Sequence, residues 1–318
     1  MNAEYVDVIA KLPCLNQVMV KLLALDSNDI HYFDSVYELA HEDPSFAVRI
    51  MHLANVADKA PVSPVKTLRQ AIPRIGVSHI QSIVSTYALA DAFQCQTKSD
   101  SDLWIHSVMV AVFARTLAPF IHEFILDEEE AYLCGLLHDI GRFIFFSQLT
   151  DAPKLIDEFN WVDGEQLLIS EEKVCGMDHA TLGGYVCEKW QLPQYIHNVV
   201  SKHHVYEYSE DKQADKKLAA MLKLVQVSDA LSMLIMHKPE LISLSGNALH
   251  DALIPKCQHP SWSSMPIAVE IIASHLTEIL EQTKNILRGI EGLDEVLNRD
   301  YPDWFEVAEA EQDTEHGK

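Results

Sequence analysis

The chain has 318 residues, of which 48% are hydrophobic and 22% are charged, so it can bury a sizeable core as one large domain or two small ones. Its formal net charge of −23 repels nucleic acid and anionic lipid, and we expect neither as a partner. No apolar run reaches the ~18 residues that a membrane-spanning helix requires, and the first residues lack the pattern of a signal peptide. We therefore expect a cytoplasmic protein whose scattered cysteines, none of them in a CxxC pair, stay reduced.

Helical periodicity dominates the sequence, and we find no alternating strand pattern. Apolar residues recur every three or four positions from Leu12 to Leu25, and the dipeptide Asp43-Pro44 favours the start of the next helix. Thr67 predicts the start of a short helix that Pro73 should kink or shorten. Further helices are predicted at about 77–93, 102–121, 128–148, 151–171, 178–190, 193–203, 215–236 and 267–289.

Shifts in composition divide the chain. A polar link after Gln96 separates an N-terminal helical part, residues 1–97, from a second helical part, residues 98–236. Residues 237–266 are rich in proline and predict loops, and with the helix that follows them they form a C-terminal extension, residues 237–305. The acidic tail, residues 306–318, is predicted to be disordered.

Histidine and aspartate side chains form the chemically informative pattern. The pair His138-Asp139 follows an apolar stretch, so we expect it to face the packed interior, where burial without partners would cost several kcal/mol. A metal removes that cost, because both groups bind it in their deprotonated forms. Imidazole with carboxylate and without thiolate favours iron, manganese or zinc over calcium or magnesium. Singly, each histidine of the chain has an ordinary structural explanation, such as a hydrogen bond to a backbone carbonyl or a helix end.

The order His106, then His138-Asp139, then Asp229 resembles the H…HD…D motif of the HD phosphohydrolase superfamily. Three further histidines resemble the additional ligands of the dinuclear HD-GYP phosphodiesterases. Asp102 lies one turn before His106, where that group usually has a glutamate ligand. The resemblance implies a mononuclear or dinuclear site with these candidate ligands: Asp102, His106, His138, Asp139, His179, His203, His204 and Asp229.

The wider sequence, roughly residues 10–235, resembles a bacterial HDOD domain, an all-helical relative of the HD phosphohydrolases. The motifs that carry this resemblance occur in order: Leu12-Pro13, Asp43-Pro44-Ser45-Phe46, the segments 49–55, 64–72 and 74–76, and Glu188-Lys189-Trp190-Gln191-Leu192-Pro193. The resemblance implies an all-α fold in which an N-terminal helical subdomain packs on an HD-like helical bundle.

Two departures from the superfamily bear on activity. Val205-Tyr206 follows the histidine pair, where HD-GYP enzymes have a glycine-rich segment, and Arg142 stands where HD hydrolases commonly have a lysine. The resemblance therefore implies a signal-transduction module that binds metal and acts on a protein partner or a phosphorylated small ligand. The alternative is a metal-dependent phosphohydrolase with Asp139 and Arg142 as catalytic residues, and a metal-free scaffold is a third possibility. The oligomeric state is left open.

Overall fold

A computed structural model of the chain describes residues 17–26, 29–56, 65–76, 79–121, 124–206, 213–244, 246–254, 268–290 and 292–300. Helices form the regular structure of these ranges, which contain no strand, and the predicted all-α class is confirmed. The periodic residues before Gln17 and the acidic tail lie outside the described residues.

The described residues of the N-terminal part include five helices. The Asp43 carboxylate accepts a hydrogen bond from the backbone N–H of Phe46 at 3.4 Å, so a helix begins after Asp43 as predicted. Thr67 precedes the next helix without a side-chain cap, and Gly76 ends that helix with a φ of 99°, which favours glycine. The helices are α1 (Gln17–Leu23), α2 (Tyr32–Glu42), α3 (Pro44–Val56), α4 (Leu68–Ile75) and α5 (Ile80–Ala92).

The second part holds the central helices. A capping box between Thr97 and Asp100 starts the first helix of this part at Lys98, four residues before the predicted start at residue 102. The helices are α6 (Lys98–Leu117), α7 (Glu128–Leu137), α8 (Ile140–Gln148), α9 (Ala152–Asp157), α10 (Gly164–Cys175), α11 (His179–Lys189), α12 (Gln194–Val200) and α13 (Gln213–His237).

Two predicted helices are each interrupted. The segment predicted as one helix over 128–148 is α7 and α8, which are separated by His138 and Asp139. The segment predicted over 151–171 is α9 and α10, because Asn160 takes a positive φ of 50° and the Asp163 carboxylate caps α10 by accepting from the Gln166 backbone N–H. Capping by Asp163 therefore overrides the helical periodicity at the second place, whereas Asp139 precedes α8 without a side-chain cap.

The C-terminal extension is more helical than predicted. Within its described part, a 3₁₀ helix (Pro239–Ser243) and α14 (Gly246–Leu253) occupy a segment predicted to be loops. The predicted helix near 267–289 is α15 (Val269–Arg288), and α16 (Leu293–Asp300) follows it. The Tyr87 hydroxyl of α5 donates a hydrogen bond to the Ile286 carbonyl of α15 at 3.0 Å, which joins this extension to the N-terminal part.

The buried apolar residues of the described ranges, from Met19 to Leu297, form one hydrophobic core. Helix α6 lies at its centre and packs against α7, α13 and α15. Two helical segments, residues 98–120 and 216–237, are long and apolar enough to cross a membrane, but 83% and 72% of their apolar windows are buried within the protein. Both are core helices of this fold, and the division of the chain at residues 97 and 236 stays a prediction.

Candidate metal centre

Seven of the eight predicted ligands, all except Asp102, come together from five segments of the second part. His106 lies midway along α6, His138 and Asp139 form the break between α7 and α8, and Asp229 lies on α13. His179 begins α11, and His203 and His204 lie in the turn that follows α12. Interruption of the predicted 128–148 helix thus places two ligands at the end of one helix and the start of the next.

Asp139 lies at the centre of the cluster. Its Oδ1 atom is 3.1 Å from His179 Nε2, 3.6 Å from His138 Nε2 and 3.7 Å from His203 Nε2. Its Oδ2 atom is 3.7 Å from His106 Nε2. The Asp139 residue is only 4% exposed, so its carboxylate is shielded from solvent and surrounded by imidazole rings.

The histidine Nε2 atoms also face one another. His106 and His138 approach with their Nε2 atoms 3.3 Å apart. The His179 Nε2 atom is 3.1 Å from His203 Nε2 and 3.0 Å from His204 Nε2. Two nitrogen ligands at ~2.1 Å from one ion, at tetrahedral or octahedral angles, would lie about 3.0–3.4 Å apart. The observed separations of 3.0–3.3 Å match those expected for imidazoles that share one ion.

Backbone carbonyls fix the tautomer of two of these rings. His138 Nδ1 is 2.7 Å from the Gly135 carbonyl, and His203 Nδ1 is 2.8 Å from the Val200 carbonyl. Because a carbonyl only accepts, each Nδ1 carries the proton that it donates. In the neutral ring, Nε2 then presents its lone pair to the cluster, as a metal-ligating imidazole requires.

Two other rings are held by side chains. The Glu171 carboxylate accepts a hydrogen bond from His179 Nδ1 at 2.5 Å, and from the His179 backbone N–H at 2.9 Å. His106 Nδ1 lies 3.1 Å from the Ser232 hydroxyl, one turn beyond Asp229 on α13. Carboxylate and hydroxyl partners of this kind orient metal-bound histidines and raise their basicity.

The donor set fits a divalent transition metal. Two groups, each of three ligand atoms within 4.8 Å of one another, occur among the described residues: His106, His138 and Asp139 in one, and His179, His203 and His204 in the other. Since the Asp139 carboxylate borders both groups, the arrangement suits one ion or two. Imidazole and carboxylate without thiolate fit iron, manganese or zinc, and which of these binds stays a prediction.

Burial and charge set different pKa values within the cluster. Burial lowers the pKa of His106 to about 4 and that of His138 to about 3, so both rings are neutral near pH 7. Burial opposes protonation of His179 as well, but the carboxylates of Glu171 and Asp139 outweigh it and raise the His179 pKa to about 10. Burial of Asp139 is likewise outweighed by His138 and His179, which hold its pKa well below the usual range.

The predicted family is confirmed by comparison with known proteins. The family model of the HDOD domain matches residues 12–206. The chain belongs to the HDOD family. The match begins at the predicted motif Leu12-Pro13 and ends just after the pair His203-His204. It therefore spans both the N-terminal helices and all the candidate ligands except Asp229.

Solved structures share the fold of this HDOD protein. An HDOD protein of unknown function from Geobacter sulfurreducens superposes with a TM-score of 0.67 at 24% identity, covering 89% of this chain and 95% of the other. A candidate phosphohydrolase from Shewanella amazonensis superposes with a TM-score of 0.67 at 18% identity, covering 89% and 97%. A candidate signal transduction protein from Marinobacter aquaeolei reaches a TM-score of 0.63 at 16% identity, covering 92% and 62%.

Curated relatives are longer than this HDOD protein. An uncharacterised protein from Treponema pallidum is 22% identical over 205 residues, which are 64% of this chain and 39% of that protein. Ribonuclease Y from Mycoplasma mycoides is 25% identical over 171 residues, which are 52% of this chain and 26% of that enzyme. The chain thus spans about two fifths or less of these relatives, and their likeness concerns a shared domain.

The two remaining predicted ligands, Asp229 and Asp102, lie outside the buried group of histidines around Asp139. Asp229 Oδ1 is 3.4 Å from His106 Nε2, and its side chain is 25% exposed. Asp102 is 36% exposed and both of its carboxylate oxygens lie 3.2 Å from Lys98 Nζ. Neither aspartate belongs to the two ligand groups found among the described residues, and the ligand role of Asp102 stays a prediction.

Arg142 borders the cluster and is largely enclosed. Its guanidinium lies 3.5 Å from Asp139 Oδ2 and 3.5 Å from Glu171 Oε1. The rings of Phe146 and Trp161 have centroids 5.4 Å and 5.9 Å from its Cζ atom. Arg142 therefore compensates the charges of two buried carboxylates within the protein. The same guanidinium is the group that the sequence suggested as a phosphate contact.

Two residues that contact histidine rings of the cluster, Glu171 and Ser232, were not among the predicted site residues. Glu171 is fully buried, although its neighbours Glu172 and Lys173 are exposed. Leu167, Glu171 and Cys175 recur every four residues, so Glu171 occupies the apolar face of α10. A carboxylate within an apolar stripe was the sequence signal for this residue, whereas a serine on a buried helix such as α13 gives no comparable signal.

Proposed function

We propose that this HDOD protein is a signal-transduction module whose histidine and aspartate cluster binds one or two divalent transition metal ions. The observation that carries the proposal is the pair of Nδ1–H donors on His138 and His203, which directs the Nε2 lone pairs of these two rings toward the Asp139 carboxylate. Lone pairs that face a carboxylate oxygen at 3.6 Å and 3.7 Å repel it unless a cation or proton lies between them. A metal ion would supply that cation, and it would also polarise a phosphate oxygen if one were bound.

Metal binding offers a route for signalling because the ligands come from separate elements. An ion held by His106 and His138 would tie α6 to the α7–α8 junction, and an ion held by His179 and His203 would tie α11 to the turn after α12. Such ties add free energy to one arrangement of these helices over another, which is the requirement for coupling a bound ion to a partner surface. The module would therefore act through a protein partner or a phosphorylated small ligand.

Burial of the cluster favours a module over an enzyme. A hydrolytic site keeps an open coordination position for water or substrate, whereas His138, His179 and His203 are each at most 2% exposed. In addition, Arg142 already pairs with Asp139 and Glu171. The Marinobacter relative, described as a candidate signal transduction protein, agrees with this proposal at the level of fold.

The second candidate function is metal-dependent phosphohydrolysis by the same cluster, with Asp139 and Arg142 as catalytic residues. It is favoured by the two adjoining ligand groups, which suit a pair of ions with Asp139 between them. In that case Arg142 would have to exchange its carboxylate partners for a phosphate oxygen, with which a guanidinium pairs bidentately. Two proteins from Shewanella amazonensis with this fold are described as candidate phosphohydrolases, one of them metal-dependent.

Two measurements test the proposal. Elemental analysis of the purified protein should find a transition metal, and chelator should lower the melting temperature by about 5 °C. His138→Ala should remove most of the chelator effect, while His250→Ala, at an outer pair with Asp251 and Glu270, should leave it unchanged. An equal chelator effect in His138→Ala would contradict metal binding through His138.

The choice between module and enzyme requires a second assay. We expect little turnover of bis(p-nitrophenyl) phosphate or p-nitrophenyl phosphate by the metal-loaded protein. Robust hydrolysis that is abolished in a folded Asp139→Ala variant would replace the module with the phosphohydrolase. Metal binding without hydrolysis supports the module.

A further inference from the structure

A cleft separate from the metal cluster lies beside the carboxyl end of α6. Arg115, one of its lining residues, is nine residues beyond His106 on that helix, which is about 13 Å along the helix axis. The cleft has a volume of about 520 Å³ and is lined from α5, the end of α6, the start of α7 and α15. A volume of this order is typical of sites that bind small molecules. The cleft does not depend on the proposed function.

Arg115 places a positive charge in this cleft without a carboxylate beside it. The residue is half-buried, and its one hydrogen-bond partner among the described residues is the Gln282 Oε1 atom, which accepts from Nη2 at 2.7 Å. Its other guanidinium N–H groups do not belong to the buried atoms that lack a partner, so they are accessible from the cleft that Arg115 lines. The chain has 47 acidic residues against 24 lysines and arginines, so an arginine without a carboxylate partner requires an explanation.

The guanidinium of Arg115 is held in a fixed position. Its Cζ atom lies 4.9 Å from the centroid of the Tyr132 ring, and that ring is fully buried. The Tyr132 hydroxyl is in turn 2.8 Å from the Thr86 hydroxyl on α5. A cation that is fixed between a buried ring and the Gln282 amide is preorganised, which reduces the entropy lost when a ligand binds.

A negative charge lies on the other side of the Gln282 amide. Gln282 Nε2 donates a hydrogen bond to Glu278 Oε1 at 2.9 Å, while the oxygen of the same amide accepts from Arg115. Glu278 is exposed where it lines the cleft, and no ion pair joins it to a cation among the described residues. Gln282 thus keeps a guanidinium and a carboxylate apart by the width of one amide group. Glu128 also lines the cleft, but the dipole of α7 accounts for a carboxylate in its first turn.

The rest of the lining includes an apolar wall. Ile83, Pro119, Phe120 and Ile286 line the cleft beside the two charges. The Phe120 ring packs edge-on against the ring of His275, with their centroids 5.2 Å apart. An apolar wall of this kind suits a ligand with an aliphatic or aromatic body.

We infer that this cleft binds a small zwitterion, an α-amino acid with an apolar side chain. The planar fork of Arg115 matches a carboxylate, and Glu278 would accept hydrogen bonds from the ammonium group. A simple anion would be repelled by Glu278, and a simple cation would be repelled by Arg115. A ligand with both charges would pair with each of them in parallel with Gln282, and its side chain would lie against the apolar wall.

The test is calorimetric titration of the full chain with three ligands that share a phenyl ring. L-Phenylalanine carries both charges, 3-phenylpropionate lacks the ammonium group, and phenethylamine lacks the carboxylate. We expect saturable binding of L-phenylalanine and at least about tenfold weaker binding of each analogue, because each loses one charge-assisted pair.

Two variants assign the charges of the ligand to the protein. Glu278→Gln should weaken binding of L-phenylalanine about tenfold and leave binding of 3-phenylpropionate unchanged or stronger, a pattern that misfolding cannot mimic. Arg115→Gln should weaken L-phenylalanine by at least as much and leave phenethylamine unchanged or stronger. Glu281→Gln is the matched control, since this exposed residue of α15 does not line the cleft, and it should bind L-phenylalanine like wild type.

Three outcomes would overturn the inference. The first is the absence of saturable L-phenylalanine binding up to about 10 mM. The second is equal affinity of wild type for L-phenylalanine and 3-phenylpropionate, which would assign the cleft to a simple anion. The third is equal affinity for L-phenylalanine in wild type and in Glu278→Gln, whose substitution at an exposed position leaves the fold intact.

Discussion

The carboxylate of Glu171 holds His179 at two points, because one oxygen accepts hydrogen bonds from both the ring Nδ1 and the backbone N–H of that residue. The ring can then turn only its Nε2 atom toward Asp139, at 3.1 Å. One interaction from α10 thus fixes both the start of α11 and the orientation of a ligand.

Glu171→Gln should weaken metal binding by about tenfold to a hundredfold, because glutamine keeps the shape of the side chain but removes the charge that makes His179 a basic ligand. The measurement is a competition titration with a chromogenic chelator, using zinc and manganese separately. Glu172→Gln is the matched control, since that neighbour is exposed. Equal affinity in the two variants would show that Glu171 does not support the site.

Gly141 allows α8 to pass directly against the backbone of His179. A Cβ atom at this position would overlap the His179 carbonyl, which belongs to the backbone and cannot rotate away. Gly141→Ala should therefore lower the free energy of unfolding by about 3 kcal/mol and displace His179 from the cluster. Denaturant unfolding and metal titration measure the two effects.

Gly184→Ala is the control for Gly141→Ala, because its nearest neighbour would be the Ser201 side chain at 3.3 Å, which needs to shift by only a few tenths of an ångström. We expect that variant to bind metal like wild type. If Gly141→Ala also bound metal normally at full stability, the close approach of α8 to α11 would be contradicted.

The candidate ligands could be named from sequence because their types and order are specific, whereas the residues that hydrogen-bond to them could not. His106, His138 and Asp139 belong to a motif that is readable in one dimension. The acceptor of His179 comes instead from α10, and only the fold brings Glu171 beside it. Its position on the apolar face of α10 was a usable signal, but a single buried acid can equally well be a structural ion pair.

The helix boundaries illustrate the same limit. Apolar periodicity continues through 128–148, so it predicts one helix, yet the chain breaks at His138 and Asp139 to point both side chains inward. Periodicity also missed α2, whose buried residues include Val36 and Leu39. Hydrophobic pattern therefore predicts many of the helical segments but not all of them, and at His138 and Asp139 it does not predict where a helix stops.

Acid should destabilise the metal-free protein. The pKa values of His106 and His138, about 4 and about 3, lie below the ~6.5 of an unfolded chain, chiefly because burial disfavours the imidazolium form. As the pH falls below ~6.5, the unfolded state binds protons first, and the free energy of unfolding falls by up to ~1.4 kcal/mol per histidine per pH unit. His179 acts in the opposite sense, since its raised pKa stabilises the fold below ~6.5 and this is lost as the pH rises toward about 10.

Urea unfolding of chelator-treated protein between about pH 7 and pH 5 tests this acid effect. In His106→Asn one of the three histidines whose pKa burial lowers, His106, His138 and His204, is absent, and the dependence on pH should become shallower by up to ~1.4 kcal/mol per pH unit. A stability that does not change across this range in wild type would contradict the burial of neutral imidazoles.

Arg142→Ala should destabilise the protein as well as alter its site. The guanidinium lies 3.5 Å from both the Asp139 and Glu171 carboxylates and is enclosed by Phe146 and Trp161. Its removal takes away one of the cations that compensate two buried carboxylates, so the free energy of unfolding should fall by about 3 kcal/mol. Arg288→Ala, at an exposed position on α15, should change it by less than ~0.5 kcal/mol.

Substitutions of Arg142 distinguish its two possible roles, compensation of buried carboxylates and binding of phosphate. The Arg142 Nε and Glu171 Oε1 atoms are 3.5 Å apart and form an ion pair without a hydrogen bond. If Arg142 serves mainly to compensate carboxylates, Arg142→Lys should recover much of the stability lost in Arg142→Ala, because it restores a positive charge. If Arg142 serves mainly to hold phosphate, Arg142→Ala should unfold like wild type and lose affinity for inorganic phosphate in the metal-loaded protein. We expect the first result, and unchanged stability with lost phosphate binding would favour the hydrolase over the module.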